Sequence, residues 1–511
     1  MKVLLIATPP LELSAPPQGP AVLKGAIEAH GHNCEIIDLN ILLWKILVNQ
    51  DKGHYFQSWG MPFINALKDQ EEKEELSKLY YELLMFIKDN HYDIVGISVL
   101  SYLQWESAEM IVDIVRMFTD AKIVVGGPAI KAYDEDTKPH SLLEKVDDFI
   151  TGDAERSMIE YINKNKNYPG INNFEPVQYF LKNNYPYADY SDYDFSMYPE
   201  NWHSPTTDTF SSNQNIYITG SKGCVRKCSF CDVHKIWPSY LFKDPAAIVK
   251  EIKHYKDTYN RKMFYFTDSL LNGSNTVLKG MCNEIIDKIG EHSISWTGQW
   301  ICKNQKSFNE EYYELSSKAG LKVVIVGIES GSEAVRKHMR KNFSNADIEF
   351  TLQQCRKYNI KFIPLMMCGY PTETESDFLE TLKLLELFYE YKDIVGELRC
   401  INMMYLIPKT DVIDRDFQEM IEADFEFKST DNRWAPEDQQ RWNVGENTYD
   451  VRIERFYRYQ SRAKQLGMSP KFLKKASLLD EYLQCALEPK EAIIDMIKYV
   501  HNDNGKLDEK N

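Results

Sequence analysis

Short apolar runs rich in β-branched residues alternate with amphipathic stretches along the first third of the chain. Val3–Ala7, Glu35–Leu39, Asp93–Ser98, Lys122–Val125 and Asp148–Ile150 are bounded by turn residues and predict strands. Pro20–His30, closed by Gly31, and Glu106–Phe118 carry helical spacing. Residues 42–90 read as a helical insertion, with Asp69–Lys78 on a solvated face. Apolar strands separated by helices predict a parallel sheet covered on both faces, an α/β doubly wound (Rossmann-like) domain. Ligands of such sheets sit at the loops after the strands' C-terminal ends. Those loops are Thr8-Pro9-Pro10, Ser98 to Gln104, Gly126-Gly127-Pro128 and Gly152-Asp153-Ala154-Glu155. Gly and Pro also make ordinary tight turns, so the ordered set says more than any one loop.

A polar and aromatic linker over 166–210 separates this region from a second alternating one. There Ile216–Thr219, Lys262–Thr267, Ser293–Thr297, Lys322–Ile328 and Lys361–Cys368 predict strands, and a helix starts at Pro245. Repeated units of this length predict a partial (β/α)6 barrel over 211–425, with chemistry at the C-terminal strand ends. Residues 426–511 are aromatic-rich (Trp434, Trp442, Tyr449, Phe456, Tyr457, Tyr459), with an amphipathic helix over Arg452–Lys464. They predict a small helical cap at the barrel mouth, with a disordered tail over Asn502–Asn511. The expected domain limits are therefore 1–165, 166–210, 211–425 and 426–511.

Composition narrows the class. The chain has 511 residues, 43% hydrophobic, which fits a multi-domain globular protein. A net charge of −16, from 60 basic and 76 acidic residues, argues against general nucleic-acid binding. One local basic stretch, Lys222, Arg226, Lys227, Lys235 and Lys243, reads as a solvated face or a docking face for a flavodoxin- or ferredoxin-like electron donor. No run of 18 apolar residues occurs, so no membrane span is expected, and Val3–Ala7 is too short for a signal-peptide core. Cys34, Cys282, Cys302, Cys355, Cys368, Cys400 and Cys485 are scattered through apolar segments, as buried free thiols are. A disulfide framework is not expected, and a reducing cytoplasm is.

The other three cysteines lie in Gly223-Cys-Val-Arg-Lys-Cys-Ser-Phe-Cys-Asp232. Three thiolates spaced C-x3-C-x2-C hold three corners of a four-iron cluster and leave one iron open. With His234 added, a Cys3His zinc knuckle is the alternative. The spacing, with an aromatic residue before the third cysteine, resembles the radical S-adenosylmethionine (SAM) enzymes. That resemblance implies a 4Fe-4S cluster on Cys224, Cys228 and Cys231. The open iron would bind SAM, and reductive cleavage would give a 5′-deoxyadenosyl radical. It implies SAM contacts from Phe230, Asp268, Glu329 and Ser330, the last two within Val-Gly-Ile-Glu-Ser-Gly-Ser, and an adenine-side turn at Gly369-Tyr-Pro371. Asp268 has helix capping before Leu270 as its other reading, and Ser330 or Ser332 has an N-cap role.

The N-terminal loops, set before such a cysteine loop, resemble the cobalamin-binding domain of cobalamin-dependent radical SAM proteins. The implied contacts are Thr8, Pro9, Pro10, Ser98, Leu100, Ser101, Gln104, Gly126, Gly127, Pro128, Gly152, Asp153 and Glu155. Gly152-Asp-Ala-Glu155 departs from the more usual Gly-Glu-Gly-Glu, and no Asp-x-His-x-x-Gly follows the first strand. Cobalamin is therefore expected without a histidine on its lower face. The function implied is a cobalamin-dependent methyltransferase acting on an unactivated carbon, with SAM used both as methyl source and as radical source. A radical cyclase or rearrangement enzyme, a cobalamin-free radical SAM enzyme and a non-catalytic cobalamin- or metal-binding regulator remain open. A transfer-RNA methylthiotransferase would carry further cluster cysteines in the N-terminal domain, where only Cys34 lies. The substrate, a small molecule or a peptide, is not legible.

Overall fold

The computed structural model describes residues 1–56, 61–130, 141–174, 180, 183, 186–200, 215–396, 398, 401–407, 410–423 and 442–468. The N-terminal apolar runs form β1 (Lys2–Ala7), β2 (Asn33–Asp38), β3 (Ile94–Ser98), β4 (Lys122–Gly126) and β5 (Asp148–Ile150). They pair in parallel in the order β2-β1-β3-β4-β5. Val3–Ala7 are all buried, as a sheet covered on both faces requires. The second strand starts two residues earlier than its apolar run and ends one residue earlier. Asp38 accepts a hydrogen bond from Ile41 N at 3.1 Å and caps the helix Leu39–Val48, so Leu39 is helical.

The second region contributes β6 (Asn215–Ile218), a short ribbon of β7 (Ser221–Lys222) and β8 (Leu241–Phe242), then β9 (Met263–Phe266), β10 (Ser295–Trp300), β11 (Leu321–Glu329), β12 (Lys361–Cys368) and β13 (Ile401–Met403). Six of these make a parallel sheet in the order β13-β12-β11-β10-β9-β6, an open partial barrel. β10 starts later than its sequence pattern because His292, at φ 54°, keeps the preceding residues in a turn. Side chains alternate by strand period. Val323, Ile325, Ile363 and Leu365 form a separate cluster with Tyr265, while Val324, Val326, Phe362 and Met366 join the main core.

The segment 186–198 is stitched to both sheets. Asp189 N donates to Ala21 O at 2.8 Å, Lys24 pairs with Asp192 at 2.9 Å, and Tyr198 donates to Asp38. On the other side Tyr190 donates to Tyr217 O at 3.1 Å, and Tyr255 OH accepts from Ala188 N at 3.0 Å. The helix Tyr449–Gln465, capped by Thr448, packs against β13 and the helix Glu375–Glu390. Trp434, Cys400, Cys485 and the tail 502–511 lie outside the described residues. Cys34, Cys282, Cys302, Cys355 and Cys368 are buried free thiols. Among the described residues no helix is long and apolar enough to cross a membrane.

Candidate active site

The ribbon β7–β8 closes the base of the loop that carries the three cysteines. Gly223, at φ 81°, opens this loop, and a Cβ there would run into Ser239 O. Cys224, Cys228 and Cys231 are free, half-buried thiols. Arg226 N donates to Cys224 Sγ at 3.3 Å. Ser229 is fully buried and pinned from three directions. Its N–H donates to Met339 O at 3.2 Å, its carbonyl accepts from Val412 N at 3.1 Å, and its hydroxyl lies 2.8 Å from Tyr370 OH. The thiols are thus presented on a loop clamped by the β11 and β12 connections and the C-terminal segment.

Three side chains named from sequence have defined positions around that loop. Asp268 is buried, accepts from Gly220 N at 2.9 Å and from the Ser221 hydroxyl, and burial pushes its pKa up to about 6. Both oxygens therefore hold the ribbon in place. Asp268 is thus an anchor of the cysteine loop. Ser330 is buried too, accepting from Ser332 N at 3.2 Å and facing Thr381. It supports the turn after β11, while Ser332 caps the helix Glu333–His338. Glu329 ends β11 at φ 69°, and its carboxylate pairs with Lys341 Nζ at 3.0 Å. Lys341 Nζ also lies 5.8 Å from the centre of the Phe230 ring, beside Cys231.

Lys341 is a residue that sequence reasoning missed. It stands in a polar run with no local pattern; only the tertiary fold brings it to the cysteines. Burial works against its charge, yet Glu329 and then Cys228 hold its pKa above the ordinary lysine value. Burial raises the Cys228 thiol, and Lys341 opposes that rise. Burial also pushes Cys231 up to about 12. Such thiols ionise when a metal takes the proton's place. Three thiols on one loop beside a fixed cation suit a cluster whose ligands must be anionic. Among the described residues, no three Cys, His, Asp or Glu side chains converge on a single-ion site. His234 Nδ1 is buried without a hydrogen-bond partner.

At the C-terminal ends of the first sheet lies a cavity of about 750 Å³. Ten of the thirteen loop residues named from sequence line it: Pro10, Ser98, Leu100, Ser101, Gly126, Gly127, Pro128, Gly152, Asp153 and Glu155. Thr8, Pro9 and Gln104 do not. Thr8 is buried, and its hydroxyl has no hydrogen-bond partner. Gln104 is a buried staple. Its amide nitrogen donates to the carbonyls of Thr8 and Pro10, and its oxygen accepts from Leu100 N at 2.6 Å and Ser101 N at 3.2 Å. It fixes two loops relative to each other without lining the cavity. Gly127, at φ 119°, leaves room for Val99 O, which a Cβ would strike.

Part of the cavity's wall comes from the barrel: Tyr217 and Thr219 at and after the end of β6, Thr267 after β9, and Lys222 of β7. Gln18 bridges Thr219 and Thr267 at 3.3 and 3.2 Å, and Lys222 pairs with Asp153. Lys243 is buried against Glu251 at 2.7 Å. These pairings revise the basic stretch. Lys222 and Lys243 are neutralised inside the fold, and Lys235 pairs with Asp411 at 3.0 Å. Among the described residues, no histidine lines the cavity.

The sequence profile of the radical SAM superfamily matches residues 218–385, which run from the end of β6 into the helix after β12. The chain is 22% identical over 268 residues to an anaerobic magnesium-protoporphyrin IX monomethyl ester cyclase of Synechocystis, a match spanning 50% of this chain and 52% of that protein. It is 27% identical over 174 residues to a putative methylthiotransferase of Methanocaldococcus jannaschii, covering 33% and 38%. The chain thus spans about half or less of these relatives' length. Among solved structures, the cobalamin-dependent radical SAM enzyme OxsB with aqua-cobalamin superposes over 98% of this chain and 75% of its own, with a TM-score of 0.59 at 14% identity. The radical SAM methyltransferase TsrM of Kitasatospora setae, with cobalamin and a 4Fe-4S cluster bound, covers 83% and 77% with a TM-score of 0.56 at 17% identity. The cysteine loop and most of the partial barrel lie within the segment that matches the radical SAM superfamily, and the chain shares its fold with OxsB and TsrM.

Proposed function

We propose that this radical SAM enzyme is a cobalamin-dependent methyltransferase acting on an unactivated carbon. One observation carries the reading. The 750 Å³ cavity at the strand ends of the first sheet has its far wall built by β6, β7 and the residue after β9, the strands that also present the cysteine loop. A ligand held there and a cluster on the loop would serve one reaction space. Cys224, Cys228 and Cys231 would hold the cluster, and the lining of Ser98, Gly126, Gly127 and Gly152 would hold the corrinoid. When bound, the cluster with SAM supplies a hydrogen-abstracting radical, and the corrinoid supplies a transferable methyl group.

The chain's own residues do the rest. The clamp on Ser229 fixes the thiols in orientation. Gln104 ties together the loops after β1 and β3 beside the cavity. Asp268 fixes the ribbon, and with it the distance from cavity wall to cysteine loop.

The test is the fate of SAM in anaerobic turnover by the reconstituted enzyme. A methyltransferase of this kind forms both S-adenosylhomocysteine and 5′-deoxyadenosine, and Cys228→Ala abolishes the latter. Formation of 5′-deoxyadenosine alone, with corrinoid bound, would move the reading to cyclisation or rearrangement, the chemistry in the name of the Synechocystis relative.

A further inference from the structure

The end of β11 is built in an unusual way. Its parallel register with β12 slips between Gly327 and Glu329. Glu329 adopts φ 69°, and the residues flanking Lys341, Arg340 and Asn342, adopt φ 62° and 50°. Non-glycine residues rarely accept this region without a reason. A Cβ on Gly327 would stand 2.6 Å from Glu329 Oε1 and 2.9 Å from Lys341 Nζ, so glycine makes the room for that pair. The result is a lysine only 8% exposed whose ammonium donates to Gly327 O at 2.7 Å and to Glu329 at 3.0 Å. Burying an ammonium is expensive unless it is compensated. Two acceptors use two of its three N–H donors.

The groups packed around it explain the arrangement. Phe230 of the cysteine loop lies 5.8 Å from Nζ, and Cys224, Cys228 and Cys231 all lie within its electrostatic reach. Arg226 is a second cation acting on Cys224 and Cys228, and it lies on the loop itself, half-buried. Glu329 and Asp232 are the carboxylates in reach. Lys341 is therefore a cation held by the barrel, independently of the loop.

We propose that Lys341 is the fixed counter-cation of the cysteine loop, held by Gly327 and Glu329 so that its field favours the more negative, reduced state of the bound cluster. It is a positioning and tuning residue, and the proposal rests on the assignment of a cluster to Cys224, Cys228 and Cys231. Charge and burial near a cluster are recognised levers on its potential. The electron itself comes from an external one-electron reductant; Lys341 changes only how readily it is accepted.

The experiment is an anaerobic redox titration followed by electron paramagnetic resonance, on full-length protein reconstituted with iron and sulfide, without SAM. Wild type, K341M, K341R and E329Q are compared. K341M is expected to shift the cluster midpoint to more negative potential, K341R to stay near wild type, and E329Q to shift it positive. A purely structural role would not give opposite signs. If K341M takes up no iron but K341R takes up a full complement, charge is again the cause. Failure of iron uptake in both lysine variants, an unmoved midpoint in K341M, or shifts of the same sign in K341M and E329Q would overturn the proposal. A wild-type chain that binds no cluster would overturn the functional reading and this inference together. A wild-type cluster with an unmoved K341M overturns this inference alone.

Discussion

Replacing Arg455 by methionine probes how far the C-terminal helix builds the site. Arg455 Nη1 donates to Glu373 Oε2 at 3.0 Å and to Glu373 O at 3.1 Å, with side-chain exposures of 5% and 1% for the pair. Glu373 Oε2 also accepts from Gly369 N at 2.8 Å, and Asn447 Nδ2 donates to Tyr370 O at 2.8 Å. The turn 369–373 is thus held by side chains from 447–455. At pH well above 7, where Glu373 is ionised beside Arg455, removing one partner of this buried ion pair costs about 3–5 kcal/mol, because the remaining charge is stranded. For a barrel of this size that lowers the midpoint of thermal unfolding by about 6–20 °C. Burial already pushes Glu373 up to about 7, against the opposing pull of Arg455. Its pKa is raised on folding, so its stabilisation is full below the unfolded value and fades as pH rises through about 7. Without Arg455 that loss extends to higher pH. The assay is circular dichroism during heating at several pH values, for R455M, E373Q and the double variant. Recovery of most of the loss in E373Q/R455M is expected, since no charge is then stranded. At pH well above 7, a loss under about 1 kcal/mol in R455M, below the cost of a stranded buried charge, or a double variant no more stable than R455M, would refute the reasoning. R455M should also weaken SAM binding in equilibrium dialysis while corrinoid uptake holds.

Other expectations follow from single positions. Q104L strands four backbone groups at the cavity rim and is expected to lower corrinoid uptake at least tenfold, measured by absorbance after desalting, with iron content unchanged. G127A places a Cβ against Val99 O and should likewise lose corrinoid but retain the cluster. Asp38, buried and bonded by Tyr198, has its pKa raised to about 6 from 3.8. The native state therefore binds its proton more tightly, and stability falls by about 3 kcal/mol as pH rises from about 4 to about 6. D38N should flatten that part of the pH–stability curve.

Much of the fold was legible because strand and helix periods are local. Val3–Ala7 and Lys361–Cys368 read as strands and are strands. Boundaries slipped where capping or a left-handed residue took over, as at Asp38 and His292. The cysteine triad was legible because its spacing is a property of one loop. Supporting side chains were less so. Asp268 and Ser330 stand at strand ends where ligand contacts are expected, but their oxygens are engaged by Gly220, Ser221 and Ser332, which only the folded chain reveals. Lys341, Arg455 and Asn447 reach their partners through tertiary packing, and nothing in their sequence neighbourhood marks them. The basic stretch around the cysteines looked continuous in sequence because Asp153 and Asp411, which pair with Lys222 and Lys235, come from remote segments.

The central claim is that one chain holds a cluster on the cysteine loop and a corrinoid in the facing cavity. The most direct measurement is the ultraviolet–visible spectrum of protein purified without oxygen from cobalamin-fed cells, with iron, sulfide and corrinoid quantified on the same sample. The account expects about one corrinoid per chain beside a four-iron cluster. A full cluster with no corrinoid, before and after incubation with cobalamin, would contradict it.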